Sequence, residues 1–402
     1  MKLLNGHYGI WIRADEAMTA RSIEIDFLRE CLRRSLLNPG TPARNLPDPS
    51  LSLPRNVDWS ALLALAEENR VTALVYPTLA SIAPEPFADA WRTGWLNAEL
   101  LAAELESLLD VFADRGIEVM PLKGPVLAEA LYGDRTARQS GDLDLLVESL
   151  QFPAAKALLL ELGYIAEPPR RIDFHQAFHK PNAMVELHWS LGTPDRCPLD
   201  TEEVWSRSTT GTFGVRAVRM MAEEDLVLYL GYHMLKHHCR TLLWTADLSL
   251  ALERVERNGG WQTLLRAAQN QGLFRLLLCT CLVVEEVLGR PLPAELTTAD
   301  PERTEMQRQV HAFFEIQLAG QAEPMRFPEI WQPAGKIESG AGIRWRGFMR
   351  LLPTWRDRLW AESHGIPRPL LVLLLPGVRL IRILGKYGLV RAWKAFFHSL
   401  RG

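Results

Sequence analysis

Cysteine is scarce and scattered. The 402-residue chain carries five (Cys31, Cys197, Cys239, Cys279 and Cys281), an odd number with no C-x-x-C pair. That excludes a disulfide scaffold, a zinc knuckle and a thioredoxin-like redox motif, and it points to a reducing, cytosolic setting. Long apolar runs are missing as well. No segment reaches about 18 uninterrupted apolar residues. The best candidate, Leu370 to Leu384, is broken by Pro376, Gly377, Arg379 and Arg382, so no spanning helix is expected. The opening MKLLNGHYGIWIRADEA lacks the apolar core of roughly 7–15 residues that a secretory signal needs, and none is expected. There is no fixed-period repeat and no low-complexity tract. Charged residues at 23% and hydrophobic residues at 48% are ordinary globular usage, which excludes intrinsic disorder and collagen. The length suggests about two or three structural units, with enough buried surface to need no staples.

Charge is unevenly spread. Residues 343–402 hold twelve Arg and Lys against Asp357 and Glu362, a local net of +10 in a chain whose total is −3, which leaves −13 for the preceding 342 residues. A basic tail on an acidic body suggests an anionic partner.

Periodicity divides the chain. Residues 1–115 read as an N-terminal helical region: 22–36 is apolar at helical spacing, 38–57 is a Pro-, Asn- and Ser-rich linker, Asp58-Trp59-Ser60 opens a helix with 61–69 as its body, and 86–115 is helical again. From Gly116 strands and helices alternate. Residues 117–122 form a short strand, a helix follows Lys123-Gly124-Pro125 and stops at Gly133-Asp134, 143–147 is a second strand, and 152–162 is a helix closed by Gly163. Phe174 to His179 and Ala183 to Trp189 are expected to pair across the Pro181-Asn182 turn. Strands mixed with helices over 116–222 suggest an α/β or α+β core. The pattern from 223 onward is helical (223–238, 243–257, 260–271, 273–288 and 302–318), giving a helical domain over 223–320. A Pro- and Gly-rich linker at 321–342 then leads to the basic amphipathic tail.

The distinctive string is Ser140-Gly141-Asp142-Leu143-Asp144-Leu145-Leu146-Val147. On a strand, Asp142 and Asp144 share a face about 7 Å apart, while Leu143, Leu145 and Val147 fill the other. Two like charges side by side repel, so a fold gains nothing from them unless a cation sits between. Carboxylates at this spacing can chelate Mg²⁺, which prefers oxygen ligands and leaves positions for phosphates. Glu186, inside Met184-Val185-Glu186-Leu187-His188, is a third acid on an apolar strand. Three carboxylates around two divalent ions make a two-metal phosphoryl-transfer site. The competing reading is a strand rim with solvated acids.

At this point the chain resembles a family. Leu122-Lys123-Gly124, Leu131-Tyr132, Arg138, Gly141 to Val147, Gly163-Tyr164, Glu186-Leu187-His188-Trp189, Glu224-Asp225-Leu226, His233, Lys236-His237 and Trp244-x-x-Asp247 occur in that order. Together they resemble the largely uncharacterised bacterial nucleotidyltransferases of the DNA polymerase beta-like superfamily, over roughly 59–255. The resemblance implies an α+β fold: a small mixed nucleotidyltransferase sheet flanked by N-terminal helices and a C-terminal helical domain. It also implies Asp142 and Asp144 as metal ligands and Glu186 as the third carboxylate. Better-known members carry Gly-Ser on the turn that holds the triphosphate; here the turn reads Lys123-Gly124. Gly124 still lets the backbone approach a phosphate, and Lys123 supplies charge.

Arg138 is a candidate phosphate clamp, or else pairs with an acid such as Asp142. His188 shares a strand face with Glu186, either touching substrate or orienting a carboxylate. His233 and His237 stand at i, i+4. They read as an interface pair, as lining of an acceptor pocket, or as a metal site with Asp247; the last would suit a metal-dependent hydrolase, but the adjacent His-Asp doublet of such enzymes occurs nowhere in the chain. The tail, with Trp345, Trp355, Trp360 and Trp393 among its cations, packs on the body, lies on an anionic membrane, or binds nucleic acid.

The reading is therefore a cytoplasmic, Mg²⁺-dependent nucleotidyltransferase with two ions, peripheral membrane contact being one use of its tail. It takes a nucleoside triphosphate, with ATP favoured, and an acceptor that is a small molecule, peptide, protein or RNA. The alternative is a degenerate nucleotidyltransferase fold serving as nucleotide sensor or as a protein or membrane assembly scaffold.

Overall fold

The computed structural model describes residues 18–37, 51–168, 174–181, 183–192, 197–296 and 301–318. The linker at 321–342, the whole basic tail and most of the 38–57 linker lie outside them. Four helices come first: α1 (Met18–Leu37), α2 (Trp59–Glu68), α3 (Thr72–Leu79) and α4 (Glu85–Asp114). Asp58 caps α2 as its sequence position suggests, its carboxylate accepting from the backbone N–H of Ser60 and Ala61 at 2.9 and 3.1 Å. Such a cap contributes about 1 kcal/mol. Helix α3 was not expected. Its run of buried apolar residues from Ala73 to Val75 shows no amphipathic period, because α3 is covered on several sides.

Five strands make a mixed sheet in the order β1 (Met120–Pro121), β2 (Leu143–Leu146), β5 (Ala183–His188), β4 (His175–Lys180), β3 (Ile165–Ala166). Only β2 and β5 run parallel; the other neighbours are antiparallel. Helices α5 (Gly124–Tyr132) and α6 (Phe152–Glu161) make the β1-to-β2 and β2-to-β3 connections. The α+β architecture expected from the sequence is thus the one observed. The first expected strand, 117–122, contracts to two residues. A helix α7 (Thr201–Arg207) and a separate hairpin, β6 (Thr209–Phe213) and β7 (Arg216–Met220), complete this part. The sequence reading missed both elements, since the hairpin strands have mostly polar outward residues.

The remaining helices are α8 (Glu223–Lys236), α9 (Leu242–Arg257), α10 (Trp261–Asn270), α11 (Phe274–Leu288) and α12 (Pro301–Leu318), each close to its expected span. Among the described residues no helix is long and apolar enough to cross a membrane.

The sheet divides the interior. Leu143, Leu145 and Val147 join Val185, Leu187 and Phe178 against Leu105, Leu108 and Phe112 of α4 and Leu158 and Leu159 of α6. The alternate residue Leu146 belongs to the larger core with Met120, Leu122, Leu127 and the helices that follow β7. Strand pleating therefore sends Asp144 away from the α4 side and toward the helical half. An acid there sits inside the protein, and its environment decides what it does.

Candidate active site

Parallel pairing of β2 with β5 sets Asp144 directly beside Glu186. Asp142 precedes β2 by one residue. Carboxylate oxygens of all three lie within 4.8 Å of one another. Asp144 is only 4% exposed and Glu186 22% on their side chains. Unlike charges must offset this crowding, and Lys123 and His188 are the two at Asp144. The Lys123 ammonium is 2.9 Å from Asp144 Oδ2, and His188 Nε2 is 3.1 Å from Asp144 Oδ1 and 3.6 Å from Glu186 Oε2.

The acids divide accordingly. Burial pushes the Asp142 carboxyl up to about 6, helped by Asp144 and Glu186 and opposed by Lys123 and Arg70. Burial acts the same way on Asp144, but Lys123 and the His188 hydrogen bond outweigh it and hold that carboxyl well below the usual range. Glu186 is also burdened by burial, yet His188 and His175 bring it below its ordinary value. His188 in turn is raised: burial lowers it, and Asp144 and Glu186 more than compensate. The group resembles a charge trap filled on one side, with Asp142 left under-neutralised.

Lys123 and Gly124 reach this point because β1 ends in a bend. The Leu122 N–H donates to the Asp144 carbonyl at 2.9 Å, locking β1 to β2 up to the residue before Lys123. Gly124 then takes φ +71°, the left-handed conformation that L side chains avoid, and α5 starts.

Arg138 goes elsewhere. Its guanidinium grips Asp247 on α9, with Nε 3.0 Å from both carboxylate oxygens and Nη2 2.9 Å from Oδ2. Its Nη1 donates to Ser140 Oγ at 2.8 Å, and the Tyr132 hydroxyl donates to Asp247 Oδ1 at 2.8 Å. Its acidic partner is therefore Asp247 and not Asp142. Asp247 is likewise committed to Arg138 and Tyr132, away from the His233–His237 pair. Those histidines form an aromatic cluster with Trp244, at ring-centroid separations of 4.7 Å between the two imidazoles and 5.0 and 5.4 Å to the indole. Among the described residues they join no metal-ligand group.

Burial, followed by Lys123 and His237, holds the His233 imidazole well below its usual range. Burial, with Lys236, Lys123, Arg240 and His238 around it, brings His237 down to about 4. Both rings are neutral at pH 7. A neutral folded imidazole that protonates readily once unfolded contributes stability above about pH 6.5, and that contribution is lost as pH falls toward 4. The part of the urea midpoint that these rings supply should therefore drop across that window, against the opposite contribution of the raised Asp142 carboxyl. His237→Gln should flatten the drop relative to wild type, and equal slopes would show that the ring does not control it.

One residue of this region escaped the sequence reading, and a second was named without a role. His175 on β4 stands opposite His188 in register, and its Nε2 is 3.6 Å from Glu186 Oε1. The signal was present: once the turn between the two strands is fixed, the hairpin register places His175 there. Lys236, which rests 4.7 Å over the Phe174 ring, is lowered by burial and then by Lys123. The sequence reading names it only as part of the resemblance and assigns it no role.

Residues 55–289, more than half of the chain, match the sequence family described as uncharacterised nucleotidyltransferase. The match contains Lys123, Asp142, Asp144, Glu186 and His188. No curated protein matches the chain. Two solved structures of ANT(2″)-Ia are similar to it. The solution structure of that antibiotic-resistance factor is 13% identical over 42% of this chain and 91% of its own, with a TM-score of 0.33. The crystal structure in complex with adenylyl-2″-tobramycin is 17% identical over 42% and 97%, with a TM-score of 0.30.

Proposed function

Because the chain belongs to the family of uncharacterised nucleotidyltransferases, we propose that it transfers a nucleoside monophosphate from a nucleoside triphosphate to an acceptor, with Mg²⁺ held by Asp142, Asp144 and Glu186. The observation that carries this reading is the convergence of three carboxylates within 4.8 Å, only one of which has a lysine on it. A donor set made of hard oxygens, one member pushed up to about 6 by its neighbours and burial, suits a hard divalent ion. Asp142 and Asp144 would hold two ions, with Glu186 joining on the acceptor side. When bound, the ions neutralise phosphate charge and make the acceptor hydroxyl or phosphate a better nucleophile.

The chain's own groups do the rest. Glu186, the more exposed of the two strand acids, takes the acceptor proton as its oxygen attacks the α-phosphorus in line and pyrophosphate leaves. Lys123 exchanges Asp144 for phosphate oxygens, and the Gly124 backbone lets them approach. His188 orients Asp144. Arg138, already held by Asp247, anchors the Ser140-to-Asp142 run and so acts as a positioning residue in place of the clamp role first considered. Catalysis of this kind rests on positioning and charge.

A second reading has one observation behind it. Lys123 lies 2.9 Å from Asp144, where it could serve as a permanent counter-ion in a degenerate sensor or scaffold. Calorimetric titration of ATP, GTP, CTP and UTP, with and without Mg²⁺, separates the two. Mg²⁺-dependent binding that disappears in Asp142→Asn/Asp144→Asn supports transfer and names the donor. Absence of binding for all four, or binding that survives the double replacement, overturns it in favour of the second reading.

A further inference from the structure

We propose that His175, Glu186 and His188 form a second site, sharing Glu186 with the carboxylate trio, for a borderline-soft divalent cation of the zinc class. The antiparallel pairing of β4 with β5 puts His175 directly across from His188, and Glu186 lies two residues earlier on the same face of β5. One donor atom from each of the three lies within 4.8 Å of the other two. His175 Nε2 is 3.6 Å from Glu186 Oε1, and His188 Nε2 is 3.6 Å from Oε2. In a tetrahedral zinc centre with bonds of about 2.0–2.1 Å, donors stand about 3.3–3.4 Å apart. Each imidazole stands a few tenths of an ångström beyond that spacing from a different Glu186 oxygen before any ion is bound.

The donor chemistry differs from that of the carboxylate trio. Two imidazoles and one carboxylate suit zinc or cobalt, whereas oxygen-only sets suit magnesium. Three protein ligands also leave a coordination position open. His188 turns its Nε2 toward the cluster, where its polar contacts are to the Asp144 and Glu186 carboxylates. The ring also packs against Phe174 and His175, at centroid separations of 5.6 and 4.9 Å. Glu186 belongs to both groups, so an ion on the imidazoles changes the charge available to the trio. The inference stands on the two histidines and not on the nucleotide chemistry.

The test uses the full chain stripped by chelator and titrated with Co²⁺ in excess Mg²⁺, followed by the visible d–d bands of nitrogen-ligated cobalt, with Zn²⁺ as competitor. One equivalent should bind. Losing an outer partner of a metal ligand already costs about 10–100-fold in affinity, so losing a ligand in His175→Gln or His188→Gln should cost more than about 100-fold. Asp142→Asn should leave the cobalt spectrum in place. His175 is 24% exposed, so its replacement keeps the fold, which circular dichroism checks. Equal cobalt affinity in wild type and His175→Gln, or loss of the spectrum in Asp142→Asn, would overturn the site. Cobalt binding that persists while no triphosphate binds would count against the nucleotidyl-transfer reading alone.

Discussion

Lys123→Met is expected to destabilise the metal-free protein by about 3 kcal/mol, at the lower end of the range for breaking a buried ion pair, and Mg²⁺ is expected to restore much of the loss. The lysine is 13% exposed and Asp144 4%, with 2.9 Å between their charged atoms. Methionine keeps the packing of the lysine stem, so the deficit reports the charge. Removing that charge leaves Asp144 with His188 as its remaining partner at 3.1 Å, and it removes the larger of the two cationic influences that lower Asp142. The lower end applies because His188 still holds one oxygen. Urea unfolding at pH 7 in chelator and then in millimolar Mg²⁺ measures both parts. Under the transfer reading the ion takes over neutralisation, so the gap to wild type narrows, while triphosphate affinity falls by at least about tenfold, the equivalent of one lost phosphate contact of about 1.4 kcal/mol. Under the counter-ion reading Lys123 stays on Asp144, so the replacement leaves any triphosphate affinity unchanged, and Mg²⁺ stabilises only the variant. A variant as stable as wild type in chelator would show that the contact with Asp144 carries no weight.

Much of this arrangement could be read from the sequence, because it rests on short-range periodicity. The D-L-D-L-L-V string fixes a strand with apolar residues on one side and acids on the other, and the E-L-H string does the same for its neighbour. What periodicity cannot supply is the partner of each polar group. Arg138 is four residues before Asp142 in sequence, yet it reaches across to Asp247 on α9, more than a hundred residues on. That choice is made by the packing of α5 against α9, which no local pattern records. Lys123 illustrates the same limit. Its position before a glycine marks it as unusual, but the 2.9 Å contact with Asp144 exists only because β1 joins the edge of β2. His175 lay between these extremes: the hairpin was expected, and its register would have placed the ring opposite His188 had it been counted out. Helix α3 and the β6–β7 hairpin escaped for a different reason. One is covered on several sides and the other is mostly polar, so neither carries the amphipathic signature that identifies an element.

The Arg138–Asp247 pair separates stability from positioning more cleanly than any residue at the trio itself. Asp247→Leu alone is expected to cost about 3–5 kcal/mol, since it strands a guanidinium that cannot deprotonate in a buried position. The Tyr132 hydroxyl, which donates to the same carboxylate at 2.8 Å, adds a further penalty of about 1–3 kcal/mol when left unpaired. Arg138→Met combined with Asp247→Leu removes both charges together, and an apolar pair of similar volume can recover most of the stability. What it does not recover is the hold on Ser140, which Arg138 Nη1 contacts at 2.8 Å, two residues before Asp142. If that hold sets the carboxylate geometry, the double variant should unfold in urea close to wild type and yet bind Mg²⁺ and triphosphate at least about tenfold more weakly, a difference of about 1.4 kcal/mol. A double variant that regains stability and binding together would make the pair a packing element only. One that regains neither would place its main weight in the α5–α9 interface, where Asp247 is 1% exposed.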